Sequence, residues 1–173
     1  MKRSLQLTAL LLLSITAPGQ NAAPSWTDWH FLLGEWTADS SNGIPGQASS
    51  GSFTLFPDLR GQVLVRKNHA EYPASGGRPA VVHDDLMIIY WETGATKAFY
   101  HDSEGHVIRY NISFSVDKRK IVFLSEKSES SPQYRLTYQD LQPGTARVLF
   151  EIAPPDKPNQ FTTYVQATVR RKT

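Results

Sequence analysis

The 173-residue chain contains no cysteine. Disulfides, thiol nucleophiles and cysteine-ligated metals are therefore excluded, as is a cysteine-linked lipid anchor. Stability has to come from a hydrophobic core, which a domain of roughly 150 residues can supply. Phosphate-binding Gly-x-x-x-x-Gly-Lys, dinucleotide-binding Gly-x-Gly-x-x-Gly and the nucleophile motif Gly-x-Ser-x-Gly are all missing. No two histidines have the His-x-x-x-His spacing of a helical zinc motif; the nearest pairs that could bind a metal from strands are His69 with Glu71 and His83 with Asp85, and no metal site is assigned. An excess of one charge is lacking too. Lys+Arg number 18 against 16 Asp+Glu, and Lys2 and Arg3 account for the surplus. The one tight basic run, Lys118-Arg119-Lys120, falls in an expected turn and reads as a solvated hairpin tip, so nucleic acid is not expected as a partner.

Long apolar runs are also scarce. The longest, from Leu5 to Ile15, is too short to span a bilayer, which takes roughly 20 residues. It follows Lys2-Arg3 and precedes Ala17, Gly19, Ala22 and Ala23, in the order of a secretory signal peptide. The expected organisation is a cleaved signal peptide over 1–22 and a single domain over 23–173. That domain is expected in the periplasm or secreted, with no membrane anchor after cleavage.

Helical periodicity is nearly absent as well. Apolar residues recur with period two, and turn signals arrive about every ten residues. The pattern predicts strands over 34–40, 49–57, 61–72, 81–91, 95–102, 106–116, 119–127, 133–141, 145–153 and 160–171. Only Ser25 to Leu33 reads as a helical turn or two, with Ser25 or Thr27 as cap. Ten short antiparallel strands in a meander leave two long edges unless the sheet closes. The predicted fold is therefore all-β: one antiparallel meander barrel with a short N-terminal helical turn.

The opening "DWHFLLGEWTAD" resembles the first strand of calycin barrels, the lipocalins, fatty-acid-binding proteins and nitrobindins, through Leu32-Leu33-Gly34-x-Trp36. The overall layout is similar to secreted bacterial lipocalin-like domains. The resemblance implies that Trp36 closes one end of the barrel and that Arg170 or Arg171, from the last strand, lies over it. It also implies a small-molecule ligand in the lumen. Nitrobindins hold haem through a histidine near the start of the final strand. That place falls here on Thr163 or Tyr164, so no cofactor is expected; haem on a tyrosinate is the alternative.

The stretch Tyr100-His101-Asp102-Ser103-Glu104-Gly105-His106 concentrates polar chemistry in one turn. A three-residue loop with Gly105 left-handed pairs Asp102 with His106, Tyr100 with Ile108 and Ala98 with Tyr110. A preceding hairpin at Thr93-Gly94 then brings Asp85 beside Asp102. His69 and His83 would complete a polar cluster at one mouth of the barrel. The candidate ligand-binding residues are Arg66, His69, His83, Asp85, Met87, Trp91, Tyr100, Asp102, His106 and Tyr110. Catalytic residues are not assigned. The expected function is an exported barrel holding a partly apolar or amphipathic molecule. The alternatives are a haem protein, or an isomerase- or hydrolase-type enzyme using the His/Asp cluster.

Overall fold

The computed structural model describes residues 24–38, 50–74, 77 and 79–173. The expected signal peptide lies outside the described residues. Ten strands follow one another in the chain: β1 Gly34–Ala38, β2 Ser50–Asp58, β3 Val63–Tyr72, β4 Val81–Glu92, β5 Ala95–Asp102, β6 Val107–Phe114, β7 Lys120–Ser125, β8 Gln133–Gln142, β9 Thr145–Ala153 and β10 Thr162–Arg171. Each pairs antiparallel with its chain neighbours, and β1 pairs with β10, so the meander closes into a barrel. Closure leaves no free sheet edge among these strands.

The bounds agree with the sequence pattern to within a residue or two at most ends. The expected helical segment is shorter. Only a 3-10 turn forms, Thr27–Trp29, and neither Ser25 nor Thr27 caps it. Their hydroxyls bond to each other instead, at 2.8 Å.

Alternation along the strands, interrupted by irregularities in β8 and β10, sorts the side chains. Leu64, Met87, Ile89, Ala98, Tyr110, Ile121, Phe123 and Tyr138 point inward and are buried. They fill the lower half of the lumen. The chain entering β1 seals the end beneath them. Trp29 meets Phe114 and Phe123 edge-on, with ring centroids 5.4 and 5.9 Å apart. Trp36, only 1% exposed, stacks on Phe53 and donates its indole N–H to the Leu32 carbonyl at 2.8 Å. Of the two candidate arginines, Arg171 is the one over the indole. Its guanidinium lies 5.0 Å from the Trp36 ring and donates to the Phe31 carbonyl at 2.6 Å. Gly34 has φ of +119°, a region L side chains rarely adopt, which accounts for the glycine of the Gly-x-Trp motif.

Truncating Trp36 to alanine opens a cavity in this floor. The expected cost is about 3–5 kcal/mol, the range for removing a buried large aromatic. Chemical denaturation measures it, and an unchanged midpoint would place Trp36 outside the core.

Candidate functional site

The opposite end of the barrel differs. Inward-facing Tyr72, His83, Tyr100, Ile108, Tyr134 and Phe150 are only partly buried, so this end of the barrel faces solvent. Tyr134 and Phe150 stack face to face, with centroids 6.0 Å apart. Tyr164 meets Phe150 edge-on. Below this aromatic wall lies an ion pair on neighbouring strands. Arg66 of β3 donates through Nη1 to Asp85 Oδ1 at 2.5 Å, and both side chains are over nine-tenths buried. The guanidinium faces the rings of Phe53 and Tyr138 at 5.4 and 5.9 Å. Burial works against the charge on Arg66, but Asp85 and the surrounding phenols outweigh it and raise its pKa. Burial raises the Tyr138 phenol to about 12, against the opposing pull of the adjacent Arg66 guanidinium.

From Asp85 a polar chain runs outward. His83 places Nε2 at 3.5 Å from Asp85 Oδ2 and at 3.2 Å from the Tyr100 hydroxyl, and Nδ1 at 2.8 Å from Glu104. The Tyr100 hydroxyl donates to Asp102 Oδ2 at 3.1 Å. That oxygen also faces His106 Nδ1 at 2.9 Å. Asp102 Oδ1 accepts from the backbone N–H groups of Glu104 and His106 at 3.1 and 2.8 Å.

Local sequence dictates this arrangement. Ser103-Glu104-Gly105 is the expected three-residue loop, with Gly105 at φ +89°. Ala98 pairs with Tyr110 and Tyr100 with Ile108, while Asp85 pairs with Asp102. The Asp102 amide donates to the His106 carbonyl at 3.3 Å.

The environment shifts several of these groups. Asp85, aided by Glu104, pushes His83 up to about 9 against the opposing effect of burial. Burial works to raise the pKa of Asp102, but the His106 amide and imidazole and the Tyr100 hydroxyl outweigh it and hold the carboxyl below its usual range. Desolvation, with Asp85 and Asp102 nearby, raises the Tyr100 phenol well above its ordinary value. At neutral pH the chain is therefore a protonated imidazole between carboxylates, with a neutral phenol beside it.

Six of the ten sequence-predicted residues join this network: Arg66, His83, Asp85, Tyr100, Asp102 and His106. Met87 and Tyr110 lie beneath it in the core, at 0% and 2% exposure. Two are placed differently from expectation. His69 is one residue out of phase with Arg66, so it points outward, where it meets Asp84 at 2.8 Å and Glu71 at 3.4 Å. Trp91 lies at the far end of β4 and is exposed, near the floor and away from the mouth. Sequence reasoning missed Glu104, Tyr72, Tyr134 and Phe150 as mouth residues. The signal for the two tyrosines was parity, since Tyr72 shares the face of Arg66 and Tyr134 that of Tyr138.

The residues present do not fit the haem that a nitrobindin-like barrel implies. The axial position falls on Thr163 or Tyr164; both are exposed at a β-bulge of β10, and Tyr164 packs its ring on Phe150. His83, which points into the mouth, has carboxylates at both ring nitrogens. Compared with known proteins, the chain matches no family model and no curated sequence. The closed ten-strand antiparallel barrel is compatible with a calycin-like barrel.

Expectations at three residues test this geometry. His83 should titrate near pH 9 by NMR. Because its folded pKa is raised, its contribution to stability is complete below its ordinary value of 6.5 and is lost as pH rises through about 9. His83→Gln should flatten the stability profile across that window, and an unshifted midpoint would contradict the contact with Asp85. Gly105→Ala should destabilise by roughly 1 kcal/mol through its left-handed backbone alone, since no atom crowds a Cβ there. His106→Ala, at the solvent-exposed rim, should leave the denaturation midpoint nearly unchanged.

Proposed function

We propose that the protein is an exported carrier or receptor for a small amphipathic molecule, bound head-down in the upper half of the barrel. The observation that supports this most directly is the makeup of the mouth, where partly buried Tyr72, Tyr134 and Phe150 stand above the buried Arg66–Asp85 pair and the His83–Tyr100–Asp102 chain. Asp85 already neutralises Arg66. A neutral acceptor, such as a carbonyl or hydroxyl, therefore suits the position better than a full anion. Above it, Tyr72, Tyr134 and Phe150 offer aromatic faces to an apolar body.

Native mass spectrometry of protein purified from its own compartment should show a retained small molecule. Tyr134→Ala, which removes one aromatic face of the mouth and leaves the buried ion pair intact, should weaken its binding about tenfold. Ligand-free protein that also binds no amphipathic fluorescent probe would refute the reading.

A further inference from the structure

We propose that the barrel mouth carries a binding site for a divalent transition metal ion, formed by His83, Asp102 and Glu104. One donor atom from each of the three lies within 4.8 Å of the other two. An ion held at about 2.0–2.2 Å from such donors needs them roughly 3–4 Å apart, so small side-chain rotations complete the site. Glu104 lies in the turn with its side chain 40% exposed and is free to make them.

The other two donors are held in place from behind. Asp102, with its side chain 4% exposed, has Oδ1 fixed by two backbone N–H groups, and its Oδ2, which faces the cluster, also accepts from the Tyr100 hydroxyl at 3.1 Å and meets the exposed His106 Nδ1 at 2.9 Å, so that a bound ion displaces His106. His83 turns Nδ1 toward Glu104 and Nε2 toward Asp85, itself anchored by Arg66. A buried carboxylate behind an imidazole is the usual outer support of a metal-bound histidine. It sets the tautomer and strengthens the ligand.

Charge balance points the same way. Three carboxylates converge here, from Asp85, Asp102 and Glu104, and Arg66 cancels one of them. The ion replaces the imidazole proton of His83, as a ligating histidine requires, and the two remaining negative charges then match one divalent cation. One imidazole nitrogen with two carboxylates favours an ion of the zinc type over calcium or magnesium, which prefer all-oxygen shells. Three protein ligands leave a tetrahedral ion one open position. The second imidazole–carboxylate group, His69 with Asp84 and Glu71, lies exposed on the outer wall with no buried carboxylate behind it. It serves as an internal control.

The site does not depend on occupancy of the lumen, so its test is separate from that of the proposed carrier function. Tag-free, chelator-stripped protein is titrated calorimetrically with Zn2+, and with Ca2+ for comparison. The expected result is one Zn2+ per chain with much weaker Ca2+ binding. Glu104→Gln and His83→Gln should each weaken Zn2+ by about tenfold or more, and His69→Gln should leave it unchanged. Near-UV circular dichroism checks that the variants remain folded. No Zn2+ binding by the unmodified chain, or binding that follows His69→Gln and ignores Glu104→Gln, would overturn the proposal.

Discussion

Pairing of β1 with β10 is the constraint on which the rest depends. It aligns Trp36 with Arg171 and turns an open meander into a ring in which every strand has two partners. Once the ring is closed, each residue's parity settles whether it faces lumen or solvent, because a strand cannot slip by one without exposing its apolar set. The floor contacts act on the same junction. Trp36 ties the entering chain to β2 through Phe53, and Arg171 ties the last strand to the carbonyls ahead of β1. Closure and sealing are one structural event.

Within that ring the lumen is graded from dry to wet. Aromatic and aliphatic side chains fill the lower half, and the buried Arg66–Asp85 pair marks the transition. Such a pair is not an inexpensive way to stabilise a barrel, because desolvation offsets much of its attraction. Its placement has a clearer consequence for chemistry. Asp85 holds His83, and through His83 and Tyr100 the buried charge is linked to the exposed hairpin that carries Asp102, Glu104 and His106. Removing either member of the pair would leave an isolated charge in the interior and disturb the mouth as well.

Much of this was legible residue by residue. The 102–106 turn could be placed because glycine marks the left-handed position and the apolar face of β6 admits one register. That register then set Tyr100, Asp102 and Asp85 side by side. His69 shows where the same logic was not carried through. Arg66 and His69 are separated by an odd number of positions, so a regular strand sends them to opposite faces. Trp91 shares the inward parity of Met87 and Ile89 but lies past the level where the wall is covered, and parity says nothing about depth. Glu104 read only as a turn residue, since its meeting with His83 requires β4 and the β5–β6 turn to be adjacent in space.

The sequence by itself determined the all-β class, the number of strands, their antiparallel order and the identity of the floor tryptophan. Each of these rests on local signals: period-two alternation, turn residues and a short motif. Tertiary structure alone decided that Arg171 rather than Arg170 covers Trp36, that Arg66 is buried against Asp85, and that His83 stands between Asp85 and Glu104 while His69 faces outward. Those facts depend on how far around and how far up the barrel two residues lie. Strand stagger and closure set those distances, and neither is encoded in any single stretch of chain.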